Sequence, residues 1–436
     1  MNRHDFLRLA ASFGFGSLIS PFSAFTPKKK VQNVIVIGAG VSGLYLAKKL
    51  LESGCEVTVL EAKNRLGGRV FQNDTFHDSP IDLGAQWVHG KNIAYRLAKK
   101  HDLRLYEDHK NDLLKVPFKQ EMLSDLPPVA YDFIRRVQQQ SKSLEDVSVY
   151  DFAKKYNDGA DFLHLLENLM TDAATSAQKF SVREISKMTS KLRTTDFQFD
   201  NATMFGFVSQ VLGEAVRPHI RFSTEARAID YNDKTVRVHT VGGQIFTADK
   251  VAVTVPITVL KTGALVFSPA LPTEQAQAIQ NIGMDKGLKL FLKFSERFFE
   301  QGIFNGKNAG YFIDPTKRND RSGKGMLASL VMGKHAEAYY QDSEKALERY
   351  LAELDGYFGG KASQHFEGML AQDWGHEPFI NGVYSYTMPG WQNARTVARQ
   401  PLNNKVFFAG EAMNTRHNYG NVHGAMESAA ATLKEI

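Results

Sequence analysis

Residues 33–61 read NVIVIGAGVSGLYLAKKLLESGCEVTVLE. Asn33 to Ile37 is a continuous apolar, β-branched run, which reads as a parallel strand buried on both faces. It ends in Gly38-Ala39-Gly40-Val41-Ser42-Gly43, and a helical pattern follows from Leu44 to Leu51. Gly54 stops the helix, and Glu56 to Leu60 forms a second strand that closes on Glu61. Strand, glycine turn, helix, strand and terminal acid in that order predict a dinucleotide cradle. Gly38 permits the tight turn, Gly40 lets the backbone approach a pyrophosphate, and Gly43 lets helix pack on strand. Ser42 stands in the turn, where the helix N-terminus offers free N–H groups and partial positive charge to that pyrophosphate. Glu61 is placed to accept hydrogen bonds from an adenosine ribose.

The rest of the chain is consistent with a large globular protein. It has 436 residues, 43% hydrophobic and 23% charged, which excludes wholesale disorder and collagen-like repeats. The single cysteine, Cys55, excludes an intramolecular disulfide framework and a cysteine-rich metal site. Net charge is +6, but the basic residues are spread through the chain, so no nucleic-acid partner is expected. Residues 1–30 carry Arg3 and Arg8, an apolar stretch from Leu9 to Ile19, Pro21 and Lys28-Lys29-Lys30. That stretch is shorter than the ~20 residues a membrane span needs and reads as an export signal or an N-terminal arm. Arg3-His4-Asp5-Phe6-Leu7 resembles a twin-arginine motif with His4 in place of the second arginine. Export to a periplasmic or extracytoplasmic location is the expectation, or the cytoplasm if that signal does not function. No later segment reaches spanning length.

Glu61-Ala62-Lys63-Asn64-Arg65-Leu66-Gly67-Gly68-Arg69 extends directly from the ribose acid. With Leu60 it resembles the LEA…R.GGR tract of the GR2-type flavoproteins, which bind FAD. Four further segments are similar to the flavin-dependent amine oxidases: Asp82 to Gly90 (DLGAQWVHG); Val253 to Pro256 with Phe267-Ser268-Pro269 and Leu271-Pro272; Lys289 to Phe294 (KLFLKF); and Phe407 to Ala412 with Gly420 to Ala425. Their shared order runs from residue 33 to the C-terminus. The resemblance implies an α/β fold, in which a Rossmann-like FAD-binding domain is interleaved with an α+β substrate-binding domain. The FAD-binding domain would take 31–95, 200–270 and 386–436, and the substrate-binding domain 96–199 and 271–385. Gly84, Ala85, Gln86 and Trp87 would line the flavin, Ala226 would pair with adenine through its backbone, Glu411 after Gly410 would bind the ribityl chain, and the helix opening at Val422 would point at the ring.

The same resemblance implies hydride removal from the carbon bearing an amine, with O2 reoxidising the flavin to give H2O2 and imine hydrolysis giving a carbonyl product. Lys289 would hold a water against the flavin; a lysine on an amphipathic strand is the other reading. Trp374 and Tyr384 would frame the amine, Tyr384 as one wall of an aromatic cage, with core packing as the alternative for Tyr384 and Tyr386. Asn421 stands where the second wall falls. His89 would steer the amine's protonation or be a structural histidine at a helix start. Val383 replaces the cysteine that joins some relatives to flavin, so FAD would be non-covalent. Gln86 and Trp87 stand where amino-acid oxidases carry an arginine that clamps carboxylate, which favours an amine or polyamine over an α-amino acid. Glu167, Asp172 and Glu184 are the candidate acids for a cationic substrate. An L-amino-acid oxidase, a flavin desaturase or protoporphyrinogen-type oxidase, and a non-catalytic flavin-binding protein are the alternatives. Coarse periodicity predicts helices through 92–195, strands in 281–300 and 379–388, and a surface loop over 315–325.

Overall fold

In the computed structural model, which describes residues 32–109, 115–140, 145–155, 159–189, 195–316, 320 and 322–436, the opening run is a strand, β1 (Asn33–Ile37). The export-signal reading of residues 1–30 lies outside the described residues. Helix α1 (Val41–Glu52) and strand β2 (Glu56–Leu60) follow. The chain later supplies β3 (Ile220–Arg221), β4 (Ala226–Asp230), β5 (Lys250–Val253), β6 (Leu288–Phe294), β7 (Gly325–Val331), β8 (Phe366–Asp373), β9 (Val406–Phe408) and the last helix, α2 (Val422–Leu433).

One sheet has the order β3-β2-β1-β5-β9, with every pair parallel. Side chains alternate across a strand, and β1 uses both faces. Val34 and Val36 join the core formed with Leu44, Ala47, Met426 and Ala429 of α1 and α2. Ile35 and Ile37 join the opposite core with Val251, Val253 and Phe408. All four are at most 4% exposed, which is why this strand is an unbroken apolar run.

Residues 220–230 hold two strands in different sheets. β3 belongs to the parallel sheet, whereas β4 pairs antiparallel with Val236–Thr240 in a second sheet. The break falls where Ser223 takes a positive φ of 51° and the N–H groups of Ser223 and Thr224 donate to Lys63 O and Glu61 O. The chain crosses the end of β2 there before entering the next sheet.

The other half is built on β6, flanked antiparallel by β7 and β8. Leu288, Leu290, Leu292 and Phe294 face a core with Tyr350 and Leu354 of helix Ala346–Phe358. Phe291 faces the opposite core, with Phe133, Phe162 and Leu166 of helices Pro128–Gln140 and Gly159–Thr171. Lys289, two residues from Phe291, shares that second face.

Residues 92–195 hold helices, together with short strands at Leu105–Glu107, Val116–Phe118 and Glu121–Leu123. In 379–388 only Ser385–Thr387 is a strand, because Phe379 and Asn381 take positive φ. Within 315–325 Thr316 is buried, tied to Asp314 by its N–H and hydroxyl, so that stretch is not wholly surface. Among the described residues no helix is long and apolar enough to cross a membrane.

Candidate active site

Residues from both halves line a cavity of about 1180 Å³. Ordinary small-ligand pockets run to roughly 300–1,000 Å³, so this one has room for a dinucleotide with a substrate beside it.

The glycine turn forms one wall. Gly38 has φ +105°, a conformation open chiefly to glycine. At Gly43 a Cβ would sit 1.9 Å from Gly38 O, so helix and turn touch backbone to backbone. A Cβ at Gly40 would meet nothing within 4 Å: the space beside it is open cavity. The N-terminus of α1 carries no side-chain cap, and the buried Ser42 Oγ has no partner. Free N–H groups, an orphaned hydroxyl and open space at a helix N-terminus fit a diphosphate. Glu61 accepts from Ala39 N–H at 2.6 Å and Lys63 N–H at 2.9 Å. Burial pushes its pKa up, and hydroxyl donors from a ribose would satisfy its remaining lone pairs. Ala226 and Gly68 line the same cavity, and Gly68 packs closely on Gly40.

Arg69 leaves that wall to donate to Val383 O at 2.7 Å and Glu411 Oε1 at 2.9 Å. Glu411 Oε2 accepts from Ser385 Oγ at 2.6 Å and Gly420 N–H at 2.8 Å. Burial would raise this carboxyl's pKa, but Arg69 and Arg395 hold it below the usual range. Gly410, Val422 and the N-terminus of α2 line the cavity nearby; α2 too has no side-chain cap.

Lys289 is fully buried on the cavity wall. Its Nζ donates to Asp82 O at 2.7 Å, Gly84 O at 3.1 Å and Gln86 Oε1 at 3.0 Å. Desolvation pulls its pKa down to about 8, against the pull of Asp82. The alternative of a lysine on the surface of an amphipathic strand is thereby removed. An ammonium has three protons, and all three are spent on protein acceptors. Gln86 is correspondingly occupied: its Nε2 donates to Gln198 Oε1 and Pro315 O. Trp87, Ala85 and Gly84 line the cavity, and Trp87 Nε1 donates to Asp108 Oδ2 at 2.7 Å.

Trp374 is largely buried but still lines the cavity, its Nε1 donating to Leu83 O at 3.0 Å. Tyr384 lines the cavity and donates its hydroxyl to Asp172 O at 2.9 Å. Burial, then Asp172 and Glu411, keep it a phenol by raising its pKa. Tyr386 instead is buried in the core, donating to Asp285. His89 is not at a helix start; it lies in the short strand Val88–His89, with Nδ1 2.8 Å from Asp196 Oδ1.

Of the three candidate acids, Glu167 points away from the cavity, bound by Ala177 N–H and Lys334. Glu184 lines it but accepts from Tyr419 Oη at 2.7 Å. Asp172 is exposed, and the surface it exposes lies within the cavity rather than in bulk water. Burial pushes its pKa up to about 6, with His89 lowering and Asp196 raising it.

Sequence reasoning missed Tyr419 and Arg395. Tyr419 lines the cavity two positions before Asn421, and the Arg395 guanidinium stacks 3.8 Å above its ring. Arg395 is buried, donating to Ser385 Oγ and Ala412 O. Asp196, the partner of His89, was also missed.

The family model for flavin containing amine oxidoreductases matches residues 41–217 and 208–432. Probable polyamine oxidase 4 of Arabidopsis thaliana is 26% identical, over 90% of this chain and 84% of its own length. Lysine-specific histone demethylase 2 of Homo sapiens is also 26% identical, over 93% of this chain but only 53% of its own. Among solved structures, wild-type putrescine oxidase bound to putrescine superposes with a TM-score of 0.81 at 21% identity, covering 92% of this chain and 98% of that one. Cyclohexylamine oxidase from Brevibacterium oxydans IH-35A gives 0.79 at 20% identity, over 93% and 99%. These two likenesses are of fold.

Proposed function

This chain belongs to the flavin containing amine oxidoreductases, enzymes that oxidise amines with FAD, and from that premise we propose that its substrate is a small aliphatic amine carrying a second cationic nitrogen. The observation that carries the proposal is Asp172, a carboxyl that opens into the cavity beside the His89–Asp196 pair. A second ammonium at that carboxylate would orient the chain and hold the reacting nitrogen at the other end. The arginine content supports an amine over an α-amino acid. Among the described residues lining the cavity the one arginine is Arg69, and its Nη1 is already spent on Val383 O and Glu411.

Bound FAD supplies the acceptor for a hydride from the carbon beside the amine, with O2 as final oxidant giving H2O2 and water converting the imine to a carbonyl. Around it this chain's residues orient and exclude water. Ala39, Val41 and Ser42 at the turn and Glu61 would hold the diphosphate and ribose, and Arg69 and Glu411 would set the wall beside the ring. The reacting amine must be neutral for its lone pair to be free, and the His89–Asp196 pair, which adjoins Asp172, would lie at the end that holds the distal ammonium. The Tyr384 ring offers a π-face to the cation.

The test is peroxide release over monoamines, diamines, polyamines and amino acids. Diamines should be turned over with the highest kcat/KM. Asp172→Asn should lower kcat/KM for a diamine by roughly 10- to 100-fold, the worth of a buried charge-assisted contact, and leave a monoamine nearly unchanged. The pH profile carries a sign. The carboxylate attracts the distal ammonium only when ionised, so KM for a diamine should rise as pH falls through about 6. Asp172→Asn should flatten that limb. Turnover of amino acids but of no amine would overturn the substrate class.

A further inference from the structure

Between Trp374 and Val383 the chain makes a closed excursion. Gly382 N–H donates to Trp374 O at 2.9 Å and shuts its base, while Ile380 and Asn381 N–H both donate to Glu377 O inside it. Phe379 and Asn381 hold φ of +63° and +50°. Left-handed backbone at non-glycine residues is strained and persists only where the surroundings impose it. What is imposed is a position: Phe379, Ile380 and Asn381 line the same cavity as Glu61, Ala62 and Lys63. Phe379 is 37% exposed, an aromatic ring left unpacked at the cavity wall.

Glu377 fastens this excursion to the opposite wall. Its Oε1 accepts from Lys63 Nζ and lies 3.6 Å from Arg65 Nη2, and its Oε2 accepts from Gln372 Nε2 at 3.1 Å. The three charged side chains are largely withdrawn from water, at 14% exposure for Lys63, 17% for Arg65 and 21% for Glu377. Two like charges therefore sit together in the tract that carries the ribose acid, and a carboxylate on a distant segment joins Glu61 in offsetting both. Desolvation, then Arg65, pulls the Lys63 pKa down to about 8 in spite of Glu61. Cys55 packs against the core beside α1 and does not line the cavity, and Val383, which does, has no group to bond a cofactor. With FAD held non-covalently, its retention depends on the contacts around it.

We propose that residues 375–382 are a strap that retains the cofactor, and that Glu377 is the positioning residue that latches it to the 61–69 tract. Departure of FAD requires the Phe379–Asn381 wall to separate from the Ala62–Lys63 wall, and the Glu377 ion pairs oppose that separation. Opening leaves Lys63 and Arg65 adjacent with Glu61 but without Glu377 to offset them.

The experiment is the rate of FAD release from purified holoenzyme, read as recovered flavin fluorescence after dilution, for wild type, Glu377→Gln and Phe379→Ala. Glu377→Gln should release FAD about tenfold faster, a difference of ~1.4 kcal/mol. Its KM for the amine should be unchanged, and its FAD-free form should melt with wild type. Phe379→Ala keeps the ion pairs and should also release faster, which preserves the test should the first variant fold poorly. Wild-type release rates in both variants would overturn the strap. So would a Glu377→Gln protein whose FAD-free form melts as far below wild type as its loaded form does, since the pair would then be holding the fold alone.

Discussion

A protein carrying Gly43→Ala is expected to be purified colourless and to melt well below wild type. The added Cβ would lie 1.9 Å from Gly38 O and 2.7 Å from Thr254 Oγ1, and neither can yield. Gly38 O is backbone in a turn already at φ +105°, and Thr254 Oγ1 donates to Ile37 O at 2.8 Å at the end of β1. Overpacking of this kind costs about 1–3 kcal/mol or more, and here the displaced atoms are the cradle itself. Gly40→Ala makes the informative contrast. Its Cβ meets no protein atom within 4 Å, so the FAD-free protein should melt normally. The methyl would occupy the space beside Ser42, and FAD affinity should fall by roughly a hundredfold, about 2.7 kcal/mol. Flavin absorbance per protein and titration of FAD into the stripped protein measure both. Undiminished affinity in Gly40→Ala would remove the diphosphate from that wall.

Lys289→Met is expected to keep FAD bound and to slow turnover by two orders of magnitude or more, roughly 3 kcal/mol, the scale of misplacing groups at a reacting centre, since Gly84, Ala85 and Gln86 of the segment it braces line the cavity. The fold should suffer as well. One ammonium ties together Asp82 O, Gly84 O and Gln86 Oε1, and methionine fills its volume without donating to any of them. Each stranded acceptor costs about 1–3 kcal/mol, so the melting temperature should fall measurably. Single-turnover kinetics separate the two consequences. Slowed reduction or reoxidation at full flavin content places Lys289 in the chemistry. Unchanged turnover in a destabilised protein confines it to bracing the 82–86 segment.

The cradle was legible because its signals are local. The β-branched run, the glycine spacing and the terminal acid lie within thirty residues, and each is demanded by backbone geometry rather than by a distant partner. The far side of the cavity was only half legible. Arg395 sits on a short helix, Ala394–Ala398, where a basic residue usually means a solvated face; nothing near it in sequence signals Tyr419 beneath its guanidinium. Asp172 could not be separated from Glu167 and Glu184 because all three come from a helical region, and only the fold turns Asp172 and Glu184 towards the cavity and sets the Tyr419 hydroxyl on Glu184. Lys289 lines the cavity rather than the surface, and its three acceptors lie more than two hundred positions away, beyond the reach of periodicity. Phe379 and Asn381 belong to a stretch that reads as extended; positive φ at non-glycine residues leaves no mark in composition.

The pairing of the first helix with the last has a consequence for how the enzyme comes into being. α1 emerges early from the ribosome, yet its buried face is covered by Ala425, Met426 and Ala429 near the end of the chain. Of the two strands beside β1, β2 follows at once but β5 begins only at Lys250, and the oxygen that braces the glycine turn belongs to Thr254. A partly synthesised polypeptide therefore has the motif for FAD but not the site. Cofactor acquisition belongs to the finished molecule, and a chain stopped before Val422 would expose the apolar side of α1 with nothing to hold.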